Sequence, residues 1–148
     1  MTDVDVTADE AKIGELHRGF IEANKTGHHP FLEAHMAPGM TLVWYNLNQS
    51  NYHGVDHIVE LWKMLAAVSQ GREATCVTRD DQVTIVGDMA LVTYLLNFAA
   101  DFGALGKFVQ EARCTEVWQR MANSNGESEW KMIHFHCSNY IPGVMGGK

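Results

Sequence analysis

The sequence predicts an α+β domain in which N-terminal helices pack on one face of a curved, mostly antiparallel sheet. Two observations support this. Apolar residues recur at helical spacing in the first part of the chain and give way to long β-rich runs in the second. Short polar or glycine-containing segments join most of these runs, as expected for antiparallel neighbours. Helices that precede a series of strands, rather than alternating with them, are typical of an α+β fold.

Three helices are predicted in the first half of the chain. Thr7 fits the N-cap of a capping box, and Gly27 suits the position just after a helix end. Pro30 fits the first turn of a short second helix. A third apolar stripe with helical spacing begins at Val55 and stops at Gly71.

The β-rich runs predict five strands, and no linker divides the chain, so residues 1–148 are expected to form one domain. The polar residues between the first strand and the third helix predict a loop, and the glycine-rich end of the chain, 141–148, predicts a flexible tail. The predicted strands lie at about residues 40–46, 73–86, 89–100, 107–121 and 130–138.

The composition excludes several classes of partner. With 11 basic and 18 acidic residues the chain has a net charge of −7, which disfavours nucleic acid and anionic membranes as partners. No apolar run approaches the ~20 residues of a membrane-spanning helix, and the acidic N-terminus lacks the apolar core of a signal peptide. Cys76, Cys114 and Cys137 are far apart in sequence and are expected to be free thiols. We therefore expect a cytoplasmic protein.

The predicted final hairpin places an acid on an apolar strand face. Its two β-rich runs are joined by an Asn- and Gly-rich connector. Because strand side chains alternate between faces, Cys114, Glu116 and Trp118 lie on the same face. A carboxylate in such a position is what a ligand pocket would supply.

The order of the elements resembles the NTF2-like, or cystatin-like, cone. The final hairpin also resembles the association (hub) domain of calcium/calmodulin-dependent protein kinase II, on the motifs Thr-Glu-Val-Trp at 115–118 and His-Phe-His-Cys-Ser at 134–138. The chain departs from that family at the arginines of its pocket. Glu116 stands where the hub domain has an arginine, and Leu96 stands where another arginine follows Tyr94 by two residues. The sign of the pocket charge is reversed, so the resemblance does not imply carboxylate binding or kinase assembly.

A SnoaL-like member of the same superfamily fits these departures better, and such proteins include isomerases, cyclases, dehydratases and epoxide hydrolases. The resemblance implies a mostly apolar, aromatic pocket on the inner sheet face. The expected substrate-binding residues are Trp44, Asn46, Ile58, Trp62, Leu96, Phe98, Cys114, Trp118, Phe135 and Cys137.

The predicted catalytic group is Glu116, acting as a general base. Desolvation in an apolar pocket raises the pKa of a carboxyl group, which suits a base that works near neutral pH. Tyr94, Asn46 or a histidine at the cavity mouth would donate a hydrogen bond to a developing oxyanion. His53 and His57, expected at the cavity mouth, would be proton partners of Glu116.

Alternative interpretations remain open at this level. Glu116 would be structural if it paired with Arg113 or Arg120, or if it faced solvent. His134 and His136 are spaced to project together, as metal ligands do, but packing in an interface between subunits is the favoured interpretation and no metal is predicted.

The sequence thus favours a small, cofactor-independent enzyme that moves a proton next to a carbonyl of an apolar molecule, as an isomerase, cyclase or dehydratase does. The alternative is a non-catalytic ligand-binding or oligomerisation module. A homodimer or larger ring is expected in either case, built on the outer sheet face. That face is predicted to carry Thr93, Leu95, Thr115, Val117, His134 and His136.

Overall fold

The computed structural model describes residues 4–148 and has helices packed on a six-stranded sheet. The helices are α1 (Val4–Thr26), α2 (His29–His35) and α3 (Val55–Ser69), with single 3-10 turns at Gly103–Leu105 and Val144–Gly146. The strands are β1 (Val43–Tyr45), β2 (Asn51–His53), β3 (Thr75–Val86), β4 (Met89–Asp101), β5 (Lys107–Ala122) and β6 (Ser128–Asn139).

The sheet has the strand order β2-β1-β6-β5-β4-β3. Consecutive long strands pair antiparallel, as their short connections require. Strands β1 and β6 pair parallel, with Trp44 opposite Phe135. The predicted α+β class with a mostly antiparallel sheet is confirmed.

The core lies between α1, α3 and the sheet face that the helices cover, called the inner face below. Helix α1 contributes Ile13, Leu16 and Phe20, which are almost fully buried, because residues three and four apart share one side of a helix. From the sheet, Trp44 and Trp118 are equally buried. This layer of large side chains holds the helices against the strands.

Among the predictions for helix ends and loops, the structure confirms the one for Gly27 and corrects two others. Gly27 follows the end of α1 at a φ of 64°, a left-handed conformation that glycine adopts without a steric penalty. Helix α1 already covers Val4, so Thr7 lies within it and is not an N-cap. The predicted loop contains β2, a three-residue strand that pairs with β1 and was too short and too polar to be predicted as one. The flexibility of residues 141–148 stays a prediction.

Two irregularities in the sheet change where side chains point. In β3 the register shifts between Arg79 and Gln82, and Asp80 adopts a positive φ of 57°. A second shift, opposite Val117 and Trp118, adds one residue to β6. Each bulge re-aims the side chains beside it. Within residues 4–148, no helix is both long and apolar enough to cross a membrane.

Candidate functional site

An open cavity of about 270 Å³ lies between α3 and the inner face of the sheet. Its wall is mostly aromatic and aliphatic, which is the usual character of a small-molecule site. Seven of the ten predicted substrate-binding residues line it, namely Trp44, Asn46, Trp62, Leu96, Phe98, Phe135 and Cys137. The other three, Ile58, Cys114 and Trp118, are buried in the core and are not among the lining residues.

Glu116 is fully enclosed rather than exposed at the cavity surface. Its side chain has no solvent exposure, and it is not among the lining residues. The indole N–H of Trp118 donates to its Oε1 at 3.0 Å. The two arginines considered as partners bind elsewhere: Arg113 donates to Ser138, and Arg120 to Asp9 and Asp88. The structural interpretation through an arginine pair is therefore wrong.

The partner of Glu116 is His17, a residue that was not predicted from the sequence. Its Nδ1 lies 2.7 Å from Glu116 Oε2, and its Nε2 lies 2.7 Å from Asp81 Oδ2. Asp81 also accepts a hydrogen bond from the Thr78 hydroxyl at 2.8 Å. These three residues, Asp81, His17 and Glu116, form a continuous acid–histidine chain that ends at the Trp118 indole.

Local structure explains how the residues of the acid–histidine chain come together. His17 follows Ile13 by four residues and precedes Phe20 by three, so it lies on the buried side of α1. Asp81 lies in the β3 bulge, directly after the left-handed Asp80, and its side chain is about one-third exposed. The available signal was a polar residue within the apolar stripe of α1.

The two carboxylates control the charge of His17. Burial alone would lower the pKa of His17, but the hydrogen bond and charge of Glu116, followed by those of Asp81, raise it above 6.5. A doubly protonated imidazole donates to both carboxylates, whereas a neutral ring donates to only one. The geometry therefore favours an imidazolium between two carboxylates, and it permits a proton to pass along the chain from partly exposed Asp81 to enclosed Glu116.

Tyr94 lies next to this chain. Its ring centroid is 4.6 Å from that of His17, and its hydroxyl is the only buried side-chain polar atom without a hydrogen-bond partner in the described part of the protein. Burial, and next the charge of Glu116, raise the pKa of Tyr94 well above 10. The phenol therefore stays protonated and is available as a donor.

A family model for the SnoaL-like domain matches residues 13–142, which is most of the chain. The chain belongs to the SnoaL-like family. Solved structures support the same fold. A search of curated proteins found no match.

Three solved structures illustrate the fold of this SnoaL-like domain. An NTF2-like superfamily protein from Salmonella enterica serovar Typhimurium is 15% identical, with a TM-score of 0.79 over 97% of this chain and 99% of the other. A candidate dehydratase of the NTF2-like family from Streptomyces avermitilis is 19% identical, with a TM-score of 0.72 over 90% and 96%. The association domain of C. elegans CaMKII is 13% identical, with a TM-score of 0.66 over 93% and 100%.

Two predicted histidines lie away from the cavity of this SnoaL-like domain. His53 and His57 are exposed, and neither is among the residues that line the cavity. The backbone N–H of His53 donates to His57 Nδ1 at 3.4 Å, and the His57 ring packs on Tyr52. The expectation that they overhang the cavity mouth and serve Glu116 is wrong, because pairing of β2 with β1 places this corner at the edge of the sheet.

The histidine pair of β6 is engaged with neighbouring groups. His134 Nδ1 lies 2.8 Å from the Val43 carbonyl oxygen and therefore carries the proton of that hydrogen bond. The Tyr45 ring packs edge-on against both His134 and His136. Among residues 4–148 no group of three or more His, Cys, Asp and Glu side chains is placed to hold a metal ion.

Proposed function

We propose that this SnoaL-like domain binds a small, neutral, mostly apolar molecule in the aromatic cavity. The observation that carries the proposal is the lining, in which Trp44, Trp62 and Phe135 surround an open space of about 270 Å³. Their rings pack edge-on or tilted against one another, which fixes the shape of the wall. Removing a ligand's apolar surface from water supplies the binding free energy, at about 25 cal/mol per Å².

The charges at the cavity favour a neutral ligand. Lys25 and Arg72 line the cavity, but Lys25 pairs with Glu22 at 2.9 Å and Arg72 lies 3.6 Å from Asp101. Each positive charge is thus balanced locally. Asn46 accepts a hydrogen bond from the Trp44 indole at 3.0 Å through its carbonyl oxygen, which leaves its amide N–H groups to bind a ligand carbonyl or hydroxyl.

The proposal is tested with 1-aminoanthracene, a neutral apolar fluorophore. Leu65 lines the cavity from α3, whereas Ala67 on the same helix is exposed and does not line it. We expect saturable fluorescence enhancement with the wild-type protein, a loss of affinity of at least about tenfold for Leu65→Trp, and no change for the matched control Ala67→Trp. Circular dichroism checks that both variants fold.

Equal affinities of the two tryptophan variants would place the dye outside the cavity and contradict the proposal. Absence of saturable binding to the wild-type protein would contradict it as well. A charged analogue, anthracene-1-carboxylate, tests the neutrality of the site and is expected to bind more weakly than the amine.

A second candidate function is proton transfer at the same cavity, and the acid–histidine chain favours it. In this proposal Glu116 is the base. His17, itself bound to Asp81, stabilises the negative charge of Glu116, and Tyr94 donates a hydrogen bond to the oxyanion. Glu116 lies opposite Phe135 in the strand ladder, and Phe135 lines the cavity. A ligand that displaced this ring would reach the carboxylate. The solved relative described as a candidate dehydratase has the same fold.

Hydrogen–deuterium exchange at the α-carbon of 2-tetralone, an apolar ketone, tests this candidate. Proton abstraction by Glu116 predicts exchange faster than in buffer alone, and Glu116→Gln should lower the rate by orders of magnitude because the amide is no base. An unchanged rate in that variant, or a wild-type rate equal to that of buffer, would leave binding as the function.

We also propose that two copies associate through the outer sheet face. Leu95 and Val117 are only partly exposed there, and Tyr45 packs beside His136 at one side of the same face. One solved relative is itself described as an association domain. Light scattering at micromolar concentration should give at least the dimer mass for the wild-type protein and the monomer mass for Leu95→Glu. Ala67→Glu, at an exposed position of α3 on the opposite side of the sheet, is the control.

A further inference from the structure

Two cysteines lie directly opposite each other at the wall of the cavity, and the functions proposed above assign neither thiol a chemical role. Cys114 of β5 pairs with Cys137 of β6 in the strand ladder, and their Sγ atoms are 3.0 Å apart. Both side chains are almost fully buried. Cys137 lines the cavity and Cys114 is not among the lining residues, so only one of the two thiols meets a molecule that enters.

The backbone geometry suits a bond between them. Residues that pair directly in an antiparallel ladder have Cα atoms about 4.5–5.5 Å apart, and disulfides span Cα separations of about 4.4–6.8 Å. Side-chain rotation alone therefore brings the sulfurs together. Cys76, the third free cysteine, lies on β3 opposite Phe98 and has no such neighbour among the described residues.

We propose that Cys114 and Cys137 form an oxidisable dithiol, which a small hydroperoxide entering the cavity converts to an intramolecular disulfide. This inference goes beyond the binding function and names a modification site on its wall. The oxidant is defined by its class, a hydroperoxide small enough to share the cavity.

The reaction proceeds in two balanced steps. The Cys137 sulfur attacks the terminal oxygen of the hydroperoxide, the O–O bond breaks, and the thiol proton leaves with the alcohol or water that forms. The product is a sulfenic acid on Cys137. The Cys114 sulfur then attacks that sulfur, the S–O bond breaks, and the Cys114 proton leaves with the hydroxyl group as water. Both thiols are oxidised, and one equivalent of hydroperoxide is reduced.

The different surroundings of the two thiols determine their order of reaction. Cys137 meets the oxidant first because it lines the cavity. The hydrogen bond with Cys137, followed by burial, raises the pKa of Cys114, so this thiol keeps its proton until the sulfenic acid forms beside it. Its contact with Cys137 makes the second step an intramolecular one.

The test uses the native, folded protein and hydrogen peroxide. After quenching, alkylation in denaturant should count one thiol per chain instead of three, and the mass should fall by that of two hydrogen atoms. Dithiothreitol should restore all three thiols. Peptide mapping should find the link between Cys114 and Cys137.

Variants separate this site from general oxidation. Cys76→Ala should still lose two thiols, whereas Cys137→Ala should form no intramolecular disulfide. Leu65→Trp, which fills the cavity, should slow disulfide formation several-fold relative to Ala67→Trp. A count that stays at three, a disulfide between chains or to Cys76, or equal rates in the two tryptophan variants would each overturn the proposal. Dye binding is measured separately, so failure of the binding function and failure of this proposal remain distinguishable.

Discussion

The aromatic cavity and the acid–histidine chain occupy neighbouring parts of one interior but have opposite properties. The cavity is open, and the charges at its edge are paired locally. The acid–histidine chain is enclosed except at Asp81, and each of its carboxylate and imidazole groups has a hydrogen-bond partner. Phe135 connects the two regions, since it lines the cavity and lies opposite Glu116 in the sheet.

This difference shows which groups are free to act on a ligand. Covering an apolar wall with a ligand removes its surface from water, which lowers the free energy. The cavity side chains are therefore available for binding. A buried charge that has lost its partner is strongly destabilising, so the acid–histidine chain is first of all a requirement of the fold. Catalysis by Glu116 would need the ligand to open that region, and the variants below distinguish the two roles.

The largest effect is expected at Glu116. Glu116→Ala removes the acceptor of both Trp118 and His17 and should lower the free energy of unfolding by about 3–5 kcal/mol. Glu116→Gln keeps the shape: its carbonyl accepts from Trp118, and its amide donates to a neutral His17. That variant should stay within about 1 kcal/mol of the wild-type protein. Urea denaturation measures both, and equal losses would show that the charge of Glu116 rather than its shape matters.

The next largest effect is a difference in stability between variants of two buried tryptophans. Trp118 and Trp62 are both almost fully buried, but Trp118 donates to Glu116 whereas Trp62 lines the cavity. Replacing either by Phe removes similar volume. Trp118→Phe should be less stable than Trp62→Phe by about 1–3 kcal/mol, the penalty of an unsatisfied buried acceptor. Matching midpoints and slopes in urea would argue against a contribution from this hydrogen bond.

The pH dependence of the protein's stability should come from the acid–histidine chain. The pKa of His17 in the folded protein lies above 6.5, so its protonated ring stabilises the fold fully below pH 6.5 and loses that effect as pH rises through the raised pKa. The melting temperature should therefore fall as the pH rises from 6.5 through the raised pKa of His17. His35, whose pKa is lowered, acts below that window. Glu116→Gln should flatten the profile, and an unchanged slope would exclude His17 as its source.

The smallest effect on stability is expected at Asp81, the partly exposed end of the acid–histidine chain. Asp81→Asn weakens the contact with His17 but keeps a group that accepts from Thr78, at a side chain about one-third exposed. We expect a loss of about 1 kcal/mol in the free energy of unfolding. The neighbouring Asp80, which is highly exposed, provides the control Asp80→Asn with no measurable loss. A larger loss at Asp80 would mean that the bulge, and not the carboxylate, holds this end together.

Sequence patterns predicted the helices, strands and sheet faces better than the buried polar residues. Period-two alternation grouped strand residues by face, and the resemblance to the NTF2-like cone then correctly placed Trp44, Leu96 and Phe135 on the inner face. Such alternation is informative because burial of one sheet face fixes the register of its strands. It could not place Asp81, since a bulge interrupts the alternation just before that residue. His17 was overlooked because a histidine within an apolar helical stripe is recognisable only once its distant partners are known.

The β3 bulge has a consequence for the molecule in solution. Strand β3 is twelve residues long and forms one border of the sheet, where no strand of residues 4–148 pairs with its outward-directed backbone N–H and C=O groups. A long, regular border of this kind is a template for pairing with another chain and for aggregation. The left-handed Asp80 interrupts that border near its middle and places an exposed charge there. The same kink that directs one aspartate inward therefore protects the protein against edge-to-edge assembly.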